Sequence, residues 1–530
     1  MSALALRRWL VASTISCTLC VAQAAGGMLT VCTESSPEGF DIAQYELSVT
    51  TDAAGIPLYD QLLRFEPGTT RVMPGLVERW DISADGLVYT LHLRKGVKFH
   101  TTPWFKPTRD FNADDVMFSI NRMNDKSHPA YSAAKNGYVY WEGMSMRSLI
   151  KSLEKLDDMT VRFTLARPEA PFLADLAIQT IGSVFSAEYG AQLGKVGQLD
   201  KMNTEPVGTG PFVFKSYQKD AVIRYAANTA YWGGAPKVDT MVFAITLDPN
   251  VRLQRLKAGE CLAGIGIKSE SAHVFDQDAN MTMVRSTPLQ TNYLAPNAKR
   301  KYLSDKRFRQ ALWLALDKKT LITSVYGGIA TPATSFLPPS MWGYDGGLPE
   351  RHDIEQAKAL VKASGYDGSE LVLFGRVGGA SDSKRAAELM QADWARIGVK
   401  VRVQMMEIGE LYKRAGKGEH DIVLLAWVSD NGDPDNFLTP NLSCAAVEGG
   451  GNKSQWCNKA FDELIDAARK TADLKKRGEL YAKAQRLVYD EAAVIPLISP
   501  TQMTALNKRV KGFVTSPFGN SDFRNVSVSP

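Results

Sequence analysis

Ile422-Val423-Leu424-Leu425-Ala426-Trp427 is apolar without interruption, and one residue later the chain turns to Ser429-Asp430-Asn431-Gly432-Asp433-Pro434-Asp435-Asn436-Phe437, dense in carboxylates and turn formers. A short apolar run that ends in turn chemistry predicts a buried strand followed by a loop. The residues upstream place it in a larger pattern. Leu371–Phe374 and Val399–Val403 predict two further strands, with a helix between them carrying Ala386, Leu389, Met390 and Ile397. Asp353 and Gly365 bracket another helix, with Ile354, Ala357 and Val361 inward. Ser304 and Asp305 can cap one whose Phe308, Ala311, Leu312, Ala315 and Leu316 recur at helical spacing. Strands alternating with helices predict an α/β fold with a largely parallel sheet. In such sheets ligands bind just beyond the carboxyl ends of strands, which points to the segment after Trp427.

The first half of the chain is mixed α and β. Leu29–Cys32 predicts an opening strand, leading into the turn-rich Ser35-Ser36-Pro37-Glu38-Gly39-Phe40. Tyr89–Leu93 alternates like a half-buried strand, and Asn112–Arg122 predicts a helix with Val116 and Ile120 on one face. Ahead of all this, Arg7 and Arg8 precede an apolar run from Trp9 to Val21, and Ala22-Gln23-Ala24 supplies small residues at a cleavage position. Residues 1–24 are therefore expected to be an export signal, with general secretion favoured over the twin-arginine route and over lipid attachment at Cys17 or Cys20. The apolar run is shorter than the ~20 residues needed to span a bilayer.

Without the leader, Cys32, Cys261, Cys444 and Cys457 remain, an even set for a compartment where disulfides persist. Cys444 and Cys457 flank a Gly-rich loop and are expected to pair locally, leaving Cys32 to Cys261; buried free thiols are the alternative. Metal ligation lacks Cys-x-x-Cys units and a nearby histidine cluster. The remaining ~500 residues exceed one ordinary core, so two or more lobes are expected. The formal charge of +5 falls to about +3 without the leader arginines, too weak to imply a nucleic-acid partner. His92, His100, His128, His273, His352 and His420 are scattered, so no metal or haem ligand set and no cofactor is expected. Gly-x-Ser-x-Gly, His-Glu-x-x-His and phosphate-binding Gly-Lys-Ser/Thr signatures are absent, which weighs against a hydrolase.

Chemistry concentrates at Ser429–Phe437. An Asp in a cleft of low dielectric can hold a ligand ammonium through a charge-assisted hydrogen bond. The alternative is plain turn chemistry, in which aspartates accept from backbone amides. A calcium loop would need Asp-x-Asp-x-Asp-Gly spacing and a closing Glu, which are missing.

Several ordered motifs bear on that choice: Pro74-Gly75-Leu76-Val77-Glu78-Arg79-Trp80, Ser83-Ala84-Asp85-Gly86, Leu93-Arg94-Lys95-Gly96-Val97-Lys98-Phe99-His100, Phe111-Asn112-Ala113-Asp114-Asp115-Val116, Val207-Gly208-Thr209-Gly210-Pro211-Phe212, Tyr231-Trp232 and Arg309-Gln310-Ala311-Leu312. Together they resemble the peptide/nickel class of bacterial extracellular solute-binding proteins over nearly the whole chain after the leader. Ser36–Phe40, Arg167-Pro168-Glu169-Ala170-Pro171-Phe172 and Asp430–Phe437 are most similar to its dipeptide-binding members, whose two disulfides the cysteine placement also fits.

The resemblance implies a two-lobed periplasmic binding protein fold with a hinge and an extra subdomain in the first lobe. The expected division is 25–58, 209–287 and 501–530 for lobe I, 59–208 for its extra subdomain and 288–500 for lobe II. It implies a monomer in the periplasm that captures short peptides, foremost dipeptides, and delivers them to an inner-membrane ABC transporter permease. Tripeptides, haem or another amino-acid-derived ligand are the alternatives within the fold, and a peptidase the alternative outside it. Asp430, following Trp427-Val428-Ser429, matches the residue that holds the peptide ammonium. For the carboxylate, ungapped counting places Val377 at the family arginine, and a one-residue shift in Gly375-Arg376-Val377-Gly378-Gly379-Ala380-Ser381 gives Arg376; a solvated loop residue is the other reading. Ile408 stands where a tryptophan lies near the family pocket. Glu46-Leu47-Ser48-Val49 matches the segment whose backbone pairs with peptide, or is plain core strand. Among the aromatic residues of Gly137-Tyr138-Val139-Tyr140-Trp141-Glu142-Gly143, Tyr138 and Trp141 are candidate ligand covers, with plain packing the alternative.

Overall fold

The computed structural model describes residues 27–268, 271–377, 382–448 and 451–529. The proposed leader and the glycine-rich Gly378–Ser381 lie outside the described residues.

The apolar run around Trp427 forms the strand Ile422–Val428, set inside a six-stranded sheet. Across that sheet run Thr331–Pro332, Ile495–Ser499, Gln290–Pro296, Ile422–Val428, Leu371–Arg376 and Val401–Met406. Leu371–Arg376 is parallel to both Val401–Met406 and Ile422–Val428, whereas Gln290–Pro296 is antiparallel to both its neighbours. The sheet is thus mixed rather than largely parallel. The helices Ser383–Ala395 and Ile408–Gly416 connect strands in the parallel half, and such crossovers impose parallel pairing. Gln290–Pro296 enters instead from the other lobe.

Local capping chemistry sets the helix starts. Asp305, Asp353 and Asp382 accept from the backbone N–H groups of Arg307, Gln356 and Arg385. The helix from Ser383 stops at Ala395, before Gly398 at φ +81°, so Ile397 lies beyond the helix and the next strand begins at Val401. Alternating strand residues divide between two cores. Leu294, Leu373 and Ile422 join one, while Tyr293, Ala295, Phe374, Val423 and Leu425 join the other.

A second, seven-stranded sheet builds the other lobe around Met28–Thr33, which runs parallel to Thr240–Ile245 and Ala263–Gly264. Its core is continuous with that of a four-stranded antiparallel sheet in the order Val77–Ile82, Val88–Leu93, Thr160–Leu165, Ile150–Asp157. The helix Ala113–Asn124 packs there behind a capping box made by Asn112 and Asp115. Disulfides join Cys32 to Cys261 and Cys444 to Cys457. Among the described residues no helix is long and apolar enough to cross a membrane.

The chain passes between the two large sheets at 287–289 and again at 500–501. On one side of these crossings Met281–Ser286 pairs with Gln502–Asn507; on the other, Gln290–Pro296 pairs with Ile495–Ser499. Two short crossings side by side form a hinge, because a few backbone torsions there can rotate one lobe against the other.

Candidate functional site

Between the lobes lies a cavity of about 260 Å³, far above the ~10–15 Å³ that admits one water. Glu34, Glu46, Leu47 and Ser48 line it from one lobe; Arg376, Ile408, Tyr412, Trp427 and Asp430 line it from the other. Arg376 ends one strand and Asp430 follows its parallel neighbour, so both stand at strand carboxyl ends.

The loop that carries Asp430 is built by its own side chains. Ser429 is fully buried; its Oγ accepts from the Gly432 N–H at 2.8 Å and its own N–H donates to the Leu289 carbonyl at 2.8 Å. Ser429 therefore secures the turn and does not line the cavity. Gly432 takes φ +74°, a left-handed conformation that favours glycine. Asp433 accepts from the Asp435 N–H and pairs with Arg477 at 2.8 Å. Turn chemistry thus accounts for Ser429 and Asp433 but leaves Asp430 facing the cavity.

Asp430 is held from both lobes. Its N–H donates to Asn436 Oδ1 at 2.8 Å, and the Tyr140 hydroxyl, from the other lobe, donates to its Oδ2 at 2.8 Å. Asn436 Nδ2 donates to the same Tyr140 oxygen, and the Tyr140 ring stacks on Trp427 with centroids 6.2 Å apart. Burial pushes the Asp430 carboxyl up to about 7; the Tyr140 hydrogen bond works against that shift, and the charge of Glu46 adds to it. The side chain is half-buried and borders a second cavity besides this one. Trp427 lines the cavity while its buried Nε1 has no hydrogen-bond partner.

Arg376 is half-buried, with Nη2 3.4 Å from Glu34 Oε1 across the cleft and a buried Nε without a hydrogen-bond partner. Its neighbour Val377 is 55 % exposed, and the Val377 N–H donates to the Met406 carbonyl. Of the two positions, it is Arg376 that reaches the cavity. Ile408 also lines it, at the start of a helix capped by Glu407.

Glu46–Val49 lines the cavity but is not a strand. The Leu47 carbonyl accepts from the N–H groups of Thr50 and Thr51, closing a turn, and the exposed Ser48 opens the short helix Ser48–Thr50. Tyr138 and Trp141 lie in the core, at 1 % and 0 % exposure, and do not line this cavity. Val139–Gly143 forms one short helix with Tyr138 just ahead of it, and of these aromatics it is Tyr140 that reaches Asp430. Glu34 and Tyr412 escaped detection in the sequence, whereas Glu46 and Tyr140 stood inside candidate stretches without a role of their own.

Residues 71–449 match the family described as bacterial extracellular solute-binding proteins, family 5 Middle. The chain is 49 % identical over 518 residues, covering 97 % of both proteins, to di/tripeptide-binding protein 4 of Pseudomonas aeruginosa (strain UCBPP-PA14). It is 43 % identical over 505 residues, 94 % of both, to the dipeptide-binding protein of Escherichia coli (strain K12). The crystal structure of a dipeptide binding protein from Pseudoalteromonas sp. SM9913 in complex with Met-Leu superposes with a TM-score of 0.92 at 33 % identity, covering 95 % of this chain and 100 % of that one.

Proposed function

The chain belongs to the bacterial extracellular solute-binding proteins of family 5, and from that premise we propose that it captures short peptides, foremost dipeptides, and hands them to an inner-membrane ABC transporter permease. The observation that carries the reading is the pairing of Asp430 and Arg376 in one cavity between the lobes. A zwitterionic peptide offers an ammonium for the first and a carboxylate for the second, and both contacts strengthen as closure removes water. The names of the relatives, di/tripeptide-binding and dipeptide-binding, support the same ligand class. Trp427, Ile408 and the Glu46–Ser48 segment bound the space left for side chains.

The reading includes export to the periplasm behind a leader at 1–24 and action as a monomer. Lobe I is assigned to 25–58, 209–287 and 501–530, its extra subdomain to 59–208 and lobe II to 288–500. Capture is reversible and involves no covalent step; release of free amino acids from dipeptides by the pure protein would refute this. Asp430→Ala is expected to weaken dipeptide binding by about 2–5 kcal/mol, because an ammonium then enters a dry cleft unpaired. Titration calorimetry checks it, and unchanged affinity removes Asp430 from the site. Arg376→Ala in the same assay tests the carboxylate end.

A further inference from the structure

The charges lining the inter-lobe cavity do not balance. Among the described residues, Glu34, Glu46 and Asp430 face one cation, Arg376. Glu34 already pairs with Arg376, and Asp430 is held by Tyr140. Glu46 differs from both. It is half-buried, and no hydrogen bond or ion pair joins its carboxylate to another described residue. It also borders a smaller cavity walled by Tyr140, Tyr293, Tyr412 and Trp427. Aromatic faces beside a carboxylate favour cations over neutral groups.

Two further groups bear on Glu46. The buried Lys453 shares the smaller cavity but not the larger, with its ammonium 5.4 Å from the Tyr412 ring centroid. It attracts Glu46 beside the smaller cavity, and Glu46 also lines the larger one. On that side Glu46 acts on Asp430 in the opposite lobe, adding to the upward displacement that burial begins there. Two carboxylates from opposite lobes oppose closure until a cation stands between them.

We propose that Glu46 is a second cation-recognising residue of the cleft, holding an ammonium or guanidinium of the bound peptide from the lobe opposite Asp430. The proposal rests on the peptide-binding reading and extends it. A zwitterionic ligand supplies one ammonium, which Asp430 and Glu46 share; a peptide with a lysine or arginine supplies a second for Glu46 alone. The cleft accordingly prefers cationic over acidic peptides of equal length.

Calorimetry on the intact protein and on Glu46→Gln, with Ala-Ala, Ala-Lys, Lys-Ala and Ala-Glu, tests this. Removing the charge is expected to weaken at least one cationic class by roughly tenfold or more. An equal loss for Ala-Ala and the lysine peptides assigns the α-ammonium; a loss confined to Ala-Lys or Lys-Ala assigns the side chain. Glu46→Asp, which keeps the charge, should retain most of the affinity, and Glu46→Thr repeats the neutral test should the glutamine variant fold poorly. Unchanged affinity for all four peptides in the neutral variants overturns the proposal. Asp430→Asn run alongside separates the levels: its loss of binding with Glu46→Gln unaffected removes only the role of Glu46, whereas full binding by both variants removes the peptide site itself.

Discussion

Asp430 is the residue on which most of the site's chemistry turns. Its carboxyl ionises in water near 3.8 but, desolvated between the lobes, only at about 7. The folded protein therefore keeps a proton that the unfolded chain has released, and this group's contribution to stability falls as pH rises from about 4 through about 7. A peptide ammonium needs the ionised form. Binding at pH 6 should release close to one proton, and at pH 8, where the free peptide's α-amino group is itself partly deprotonated, release should give way to uptake, which calorimetry in buffers of different ionisation heat would detect. Tyr140→Phe removes the hydroxyl that favours the ionised carboxylate, so proton release should extend to higher pH and affinity at pH 7 should drop by about 1–2 kcal/mol. Asp430 is legible in the sequence because it follows a buried strand and matches the family residue that holds the peptide ammonium. Tyr140 is not, since its partner lies 290 residues away.

At the scale of elements, the segment Arg167–Asp175 meets the helix Lys459–Arg469, which itself packs on Leu474–Glu491, and bonds to the Asp430 loop. Arg469 Nε donates to Glu169 Oε1 at 2.6 Å, with both side chains buried, and the Ala170 N–H donates to the Arg469 carbonyl at 2.9 Å. Asn431, next to Asp430, donates to Asp175 at 2.8 Å. Glu169→Ala strips the buried guanidinium of its closest partner and leaves Asp435 and Asp466, each at 3.7 Å. The expected cost is about 1–3 kcal/mol in urea unfolding, because a buried donor loses its acceptor while two carboxylates still offset the charge. The helices that follow Asp305 and Asp353 announce themselves through capping side chains and apolar spacing. Strand direction did not follow as readily, because the side chains of Gln290–Pro296 are the same whether its neighbours are parallel or antiparallel. What sets the direction is its entry from the hinge at 287–289.

Over the whole molecule, two narrow crossings join lobes that also touch through Glu34–Arg376 and Tyr140–Asp430. These contacts span the cleft and part when it opens, so a ligand that engages both lobes stabilises the closed form. Saturating dipeptide should raise the melting temperature and reduce the radius of gyration in solution scattering, with the stabilisation growing by about 1.4 kcal/mol per tenfold excess over Kd. Asp430→Asn should lose both responses. Apolar runs, helix caps, turn residues and ordered motifs were enough to identify an α/β solute-binding chain and to single out Asp430, since each acts through backbone and side-chain contacts within a few residues. The mixed sheet, the reach of Tyr140 rather than Tyr138 or Trp141 to Asp430, the helical turn at Ser48 and the convergence of Glu34, Glu46, Arg376 and Asp430 were decided by the tertiary structure. Those outcomes depend on which faces the hinge and the shared cores bring together, and side-chain type alone carries no record of a partner hundreds of residues away.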